Sequence, residues 1–486
     1  MKTESSLLSA VSREPMRVET SASRRVLGSK SHALSTLLPA LVLAACSGTP
    51  DETPSPSPSG ESPTPAGPTP TAVPVTPTPE ETPPPPTVPP NVLEQGDWLS
   101  SNADSLSAFG LDNASTDPRQ APVAVFNFDH VSIFNSAAEA TFRSQLTNLD
   151  FKMTPGQFEE VLPIIAGPDY YTGGNVVALT AEFGNVSLPD LQADIVDAWS
   201  ALYARYEPTG GCTTGCDTLE VLQATPEYKD FFAKLLFMYQ GLSAHPEVGR
   251  DYTAVMLARL QAGFTETEIR TLATSAFDYE RGLSIQEVAY ASTSGGKVGK
   301  VSGSFVSGLR IYKETVDLYD YLRRNGFDVW VVSSAPLVVL QAVTSSGSGF
   351  SVNTENLIGT EVEREGRGQA TTLSITVKAG VPIPYGEGKV DAVDSRIGKE
   401  PLLIVGGTDE DYQLITSFDS TALVLVMNRV EACPFAAFYD EATNASDAGV
   451  GELILQGLDD NTGSLRAGQT TILLGGDGAE VLSGCN

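Results

Sequence analysis

Four continuous apolar stretches, largely β-branched, constrain the fold of this chain most: Val123-Ala124-Val125-Phe126, Val329-Trp330-Val331-Val332, Leu402-Leu403-Ile404-Val405 and Leu423-Val424-Leu425-Val426. Each has the length of a strand, ends in polar or glycine-rich residues, and lacks the alternation of a strand with one wet face. Runs of this kind belong to strands buried on both sides, as in a central parallel sheet covered by helices. A helical pattern leads into the second run. From Tyr312 to Arg324 it sets Val316, Leu318, Tyr319 and Leu322 on one stripe, then stops at Asn325-Gly326. Strand and helix therefore alternate, which predicts an open α/β sheet.

Between the first and second runs lie about 200 residues of different character. Leu191 to Tyr206, Tyr228 to Leu242 and Tyr252 to Leu283 carry apolar stripes of 3.6-residue period. They predict an all-helical insertion over residues 139–300, with Trp199, Tyr203, Phe231, Phe232 and Met238 as its core. After Leu357-Ile358-Gly359, the alternation from Thr371 to Val377 predicts a β-hairpin. Residues 433–486 are rich in glycine and read only as a C-terminal tail.

The N-terminal part cannot fold in this way. Of 33 prolines, 17 fall between Pro50 and Pro90, in a segment with no Lys, Arg or aromatic residue. Residues 46–91 are expected to be an extended tether. Ahead of it, six basic residues precede the apolar run Leu37 to Leu43, which ends in Ala44-Ala45-Cys46. That run is too short for a permanent membrane span. The order of basic region, apolar run and small residues before a cysteine predicts a bacterial lipoprotein signal over residues 1–45, with Cys46 acylated after cleavage. The expected location is the cell envelope, periplasm or cell surface, with the lipid as sole membrane contact.

Residues 92–486 carry 24 basic and 52 acidic side chains, net −28. No basic patch is available to neutralise phosphates, so nucleic acid is excluded as a partner. Four cysteines besides Cys46, namely Cys212, Cys216, Cys433 and Cys485, form an even set in a chain bound for an oxidising compartment. Three pairings are open to them. Loop closure favours Cys212 with Cys216, leaving Cys433 to hold the tail through Cys485. A zinc site is the rival, weakened because His130 and His245 are remote from the cysteines in sequence.

Four polar segments sit where parallel strands end: VFNFDHVSIFN (Val125 to Asn135), VWVVSSAP (Val329 to Pro336), GEGKVDAV (Gly386 to Val393) and LLIVGGTDEDY (Leu402 to Tyr412). In that order they resemble the four motifs of the haloacid dehalogenase (HAD) superfamily, in its phosphoserine and phosphorylcholine phosphatase-like branch. The resemblance spans residues 120–430 and implies a Rossmann-like parallel-sheet core (residues 92–138 and 301–432) with an all-helical cap inserted over residues 139–300.

The resemblance also implies roles. The family's first motif is Asp-x-Asp: the first carboxylate attacks phosphorus and binds Mg²⁺, and the second protonates the leaving oxygen. Asp129 matches the acid/base, but the nucleophile position holds Asn127, a poor nucleophile and a poor ligand for Mg²⁺. Ser333 matches the hydroxyl that bonds the phosphoryl group, and Lys389 the cation that balances it. Ser334 and Glu139 fall at expected substrate contacts. Gly407 stands where the main metal carboxylate would be, leaving Asp409 and Asp411 as candidate ligands.

Loss of nucleophile and metal ligand together removes two cooperating groups, which typically costs on the order of 10⁴-fold in rate or more. The first expectation is thus a degenerate phosphatase with doubtful Mg²⁺ binding, whose cleft takes a phosphorylated or choline-like ligand or a protein. An active Mg²⁺-dependent phosphomonoesterase with Asp129 as nucleophile is the alternative. An envelope interaction module is the third.

Overall fold

In a computed structural model the four apolar runs are neighbours in one sheet. Its strands are β1 (Val123–Phe126), β2 (Asp328–Pro336), β3 (Leu357–Thr360), β4 (Leu403–Gly406), β5 (Leu423–Met427) and β6 (Leu453–Gln456). The structure describes residues 92–162, 178–181, 184–244, 249–366, 371–448, 453–478 and 480–481. The leader, Cys46, the proline tract, His245 and Cys485 lie outside the described residues.

The strand order is β6-β5-β4-β1-β2-β3, and every neighbouring pair is parallel. This mixed α/β arrangement is consistent with a Rossmann-like core, with β1 at the point where the strand order reverses. Continuous apolar runs are needed because successive residues face opposite layers. Ala124 and Phe126 pack with Leu318, Tyr319 and Leu322 on one side, and Val123 and Val125 pack with Ala392, Val393 and Leu414 on the other. The helix Lys313–Arg324 ends where the sequence predicts. Gly326 follows it at φ +79°, and a Cβ there would lie 1.8 Å from the Ser115 carbonyl oxygen.

The segment between Phe134 and Arg310 contains seven helices among its described residues. Phe151, Phe158, Trp199 and Phe231 form its centre, with ring centroids 5.1 to 5.6 Å apart. Phe232 and Met238 are buried beside them, and Tyr203 is half-buried against them. The expectation of an all-helical insertion needs correction. Two antiparallel hairpins lie within or across its bounds, Ala178–Ala181 with Gly184–Ser187 and Gln286–Ala291 with Ser302–Ser307. The second escapes a 3.6-residue reading because Val288 and Tyr290 alternate inward, the Tyr290 ring stacking 4.2 Å from that of Phe232. The Tyr252 to Leu283 stretch is likewise two helices, Gly249–Arg259 and Glu266–Arg281. Gly263 at φ +83° separates them, and Thr265 with Glu268 forms a capping box for the second. At the neck of the insertion, Ile133 pairs with Ile311 and Phe134 with Arg310.

The hairpin expected near Thr371 is present, Val362–Glu365 against Thr372–Val377. Residues after 433 are more than a tail: they supply the helix Ala437–Ala448, strand β6 of the main sheet and a second, four-stranded sheet. Cys212 and Cys216 form a disulfide with Cα atoms 5.8 Å apart. Cys433 is also disulfide-bonded. No helix among the described residues is long and apolar enough to cross a membrane.

Candidate functional site

The chain leaves β1 at Asn127, whose backbone N–H donates to the Val405 carbonyl at 2.9 Å. The turn that follows is tied back on itself, since Ser132 Oγ donates to the Asn127 carbonyl at 2.7 Å. Asn127 is fully buried, and its side chain has one orientation that satisfies the network. Its Oδ1 accepts from the Phe128 N–H at 2.8 Å. The NH₂ group therefore faces β4, donating to Glu410 Oε1 at 3.0 Å, Asp411 Oδ2 at 3.1 Å and Thr408 Oγ1 at 3.4 Å.

Beyond β4, a single 3₁₀ turn, Asp409–Asp411, carries the acidic residues. Asp411 accepts from the Gly407 and Thr408 N–H groups at 2.9 and 3.2 Å and from Thr408 Oγ1 at 3.1 Å. Lys389, from the helix Glu387–Arg396, completes the cluster. Its Nζ lies 2.6 Å from Asp411 Oδ1 and 3.1 Å from Glu410 Oε1, and its side chain is 0 % exposed. Burial alone would push the ammonium down, but the charges and hydrogen bonds of Asp411 and Glu410 outweigh it and hold the pKa above the ordinary lysine value.

Asp129 lines a cleft beside this cluster. Ser136 Oγ donates to its Oδ2 at 2.9 Å and the Ala137 N–H to its Oδ1 at 2.9 Å. Ser136 also caps the helix Ala137–Asn148, so the carboxylate sits against that helix's N-terminus. Burial pushes its pKa up to about 6, against the lowering effect of the bonds from Ala137, Ser136 and Ala138, with the charge of Glu410 adding to the rise.

The cleft has a volume of about 460 Å³ and is lined by the turn after β1, the end of β2, the 3₁₀ turn after β4, the insertion and the C-terminal region. Glu139 lines it and accepts from Tyr239 Oη at 2.9 Å. Ser334 lines it as well, whereas Asn127, Ser333, Lys389 and Asp411 are buried behind the wall. Ser333 Oγ accepts from the Ala335 N–H at 3.2 Å. Asp409, a candidate metal ligand by sequence, is exposed and does not line the cleft. Two cleft residues were missed by motif matching. Glu410 occupies the inward face of the 3₁₀ turn, and Arg429 follows β5, where a polar residue at the end of a parallel strand is itself a signal.

The cluster does not fit Mg²⁺. That ion takes near-octahedral oxygen donors, but here the two carboxylates are engaged by an ammonium and a carboxamide NH₂, neither of which offers a lone pair. Among the described residues no group of three or more His, Cys, Asp or Glu side chains could hold a metal. Position 407 could not supply a further carboxylate without movement, because a Cβ there would meet Met427 Cβ and its carbonyl oxygen at 3.0 Å.

The parallel sheet, with a polar cluster at the carboxyl end of its central strands, defines an α/β protein with its site at the topological switch point. No protein-family model matches the chain, and no curated protein matches it. Among solved structures it is similar to a conserved functionally unknown protein from Anaerococcus prevotii DSM 20548, with TM-score 0.66, 22% identity, and 78% of this chain and 98% of that chain covered. A protein with unknown function from Bordetella pertussis Tohama I matches at TM-score 0.32 and 12% identity over 68% of this chain and 97% of that chain. The first likeness shows a shared fold.

Proposed function

We propose that this chain is an exported, lipid-anchored protein on the fold of the HAD-like phosphatases, with the insertion as its cap, and that its phosphatase centre is disarmed. Its cleft binds a small phosphorylated or choline-like ligand, or a partner protein of the envelope, without turning it over. One observation carries the reading: the Asn127 NH₂ donates to both Glu410 and Asp411, which a catalytic carboxylate and a shared Mg²⁺ would otherwise engage. Lys389 pairs with both of the same carboxylates. With its oxygen accepting the Phe128 N–H, Asn127 has neither the charge nor the geometry of a phosphoryl acceptor. The test is hydrolysis of para-nitrophenyl phosphate by the purified chain with Mg²⁺. No turnover above the blank is expected. Hydrolysis abolished by Asp129→Ala would overturn the proposal.

A second reading, an active Mg²⁺-dependent phosphomonoesterase with Asp129 as nucleophile, is favoured by one fact: Asp129 lines the cleft and Asn127 does not. Against it, both Asp129 oxygens already accept hydrogen bonds from the Ser136 cap and the helix N-terminus. Substrate trapping followed by mass spectrometry separates the readings: an acyl-phosphate on Asp129 supports the second, an unmodified Asp129 the first.

A further inference from the structure

We propose that Arg429 is the anion-reading residue of the cleft, that it takes a carboxylate or phosphate group of the ligand, and that Asp460 holds it in reserve. The proposal rests on the reading of the cleft as a binding site and names the group that does the binding.

Arg429 is the one Arg or Lys among the described residues that line the cleft. Lys389, which motif matching would assign to the anion, is sealed behind the wall by Glu410 and Asp411. Apart from Asp460, the acidic side chains around the cleft each have a donor other than Arg429: Asp129 has Ser136, Glu139 has Tyr239, and Glu410 has Asn127 and Lys389. Arg429 is supplied far less well. Its guanidinium has five N–H donors; it interacts with the Tyr312 hydroxyl, and its one ion pair is a long contact, Nη1 to Asp460 Oδ1 at 3.4 Å, with 17 % of the side chain still exposed. The fork geometry suits bidentate capture of a planar oxyanion.

Independent evidence lies in the backbone that aims the side chain. Val430, the next residue, has φ 58°, a conformation that a β-branched residue rarely adopts. On the other side Asn428 is fixed: its N–H donates to the Gln456 carbonyl, its Nδ2 to the Gln469 carbonyl at 2.8 Å, and its carbonyl accepts from Thr471 Oγ1 at 2.6 Å. Residues held in such sparsely populated conformations cluster at ligand sites. The Arg429 guanidinium also lies over the Phe134 ring at 5.9 Å, so the turn after β1, strand β5 and the C-terminal sheet meet at this side chain. Because carboxylates outnumber cations on the wall, binding of a bare anion will be weak.

The test is calorimetric titration of the full chain with inorganic phosphate and, separately, with acetate, to identify which oxyanion is preferred. Saturable binding of at least one is expected. Arg429→Gln should weaken it by about tenfold or more, and Arg429→Lys should fall between the two because it loses the fork. Asp460→Asn should tighten it, an effect that misfolding cannot imitate. No binding of either anion by the wild type, or equal binding by Arg429→Gln, would overturn the proposal. Phosphatase turnover would instead sink the disarmed-centre reading, leaving the assignment of Arg429 to be judged on these titrations.

Discussion

The Asn127 carboxamide lies 3.1 Å from Asp411 Oδ2, donating a hydrogen bond across the carboxyl ends of β1 and β4. A carboxylate at 127 would face Asp411 and Glu410 with only Lys389 to balance three negative charges. Asn127→Asp should therefore lower thermal stability at neutral pH, and added Mg²⁺ should restore it. The wild-type midpoint should not respond to the ion. Differential scanning fluorimetry with and without Mg²⁺ checks both statements.

Lys389→Met should be among the most destabilising single changes. It leaves Glu410 and Asp411 buried without a cation, for which a loss of about 3–5 kcal/mol is the usual range. Urea unfolding would measure it. A loss under about 1 kcal/mol, the value of an exposed pair, would mean that water reaches the cluster.

Asp129 gives the site a pH dependence of definite sign. Its folded pKa stands at about 6 against an ordinary 3.8, so the folded state binds its proton more tightly than the unfolded chain does. The stability from this group is fully present below pH 3.8 and is lost as pH rises through about 6. Asp129→Asn should gain on the wild type across that window, by roughly 3 kcal/mol at its upper end. Ser136→Ala removes a hydrogen bond to the charged form and should move the titration higher still. Melting temperatures from pH 3 to pH 8 (roughly the span that brackets both values) would show parallel curves for Asp129→Asn and wild type if the carboxyl is not perturbed.

The insertion depends on its own aromatic centre. Trp199 is fully buried and donates through Nε1 to the Met153 carbonyl at 3.1 Å. Trp199→Ala should cost about 3–5 kcal/mol. Hydrogen exchange should show the greatest loss of protection in the helices Leu188–Tyr203 and Pro226–Ser243, which it joins.

The sheet was legible because burial on both faces forces runs such as Val123 to Phe126 and Leu423 to Val426, which no other element explains. The sixth strand was not. Leu453–Gln456 is short, follows Gly449-Val450-Gly451 in a glycine-rich stretch, and ends in a polar residue whose partners are remote in sequence: Gln456 Oε1 accepts from the Leu99 N–H at 3.0 Å. Asn127, Lys389 and Asp411 are brought together by the fold. Glu410 was overlooked because a 3₁₀ turn rotates about 120° per residue, which turns 410 and 411 inward and 409 outward, a distinction that position along the motif cannot make. Arg429 was overlooked because its role comes from Asp460 and Phe134, which only folding brings beside it.

The central claim is that the Asn127 carboxamide is the group that keeps Mg²⁺ from Glu410 and Asp411, and a Mg²⁺ titration by isothermal calorimetry tests it most directly. The account predicts no saturable heat for the wild type and saturable binding for Asn127→Asp, lost again on adding Glu410→Gln. Stoichiometric Mg²⁺ binding by the wild type, abolished by Glu410→Gln, would contradict it.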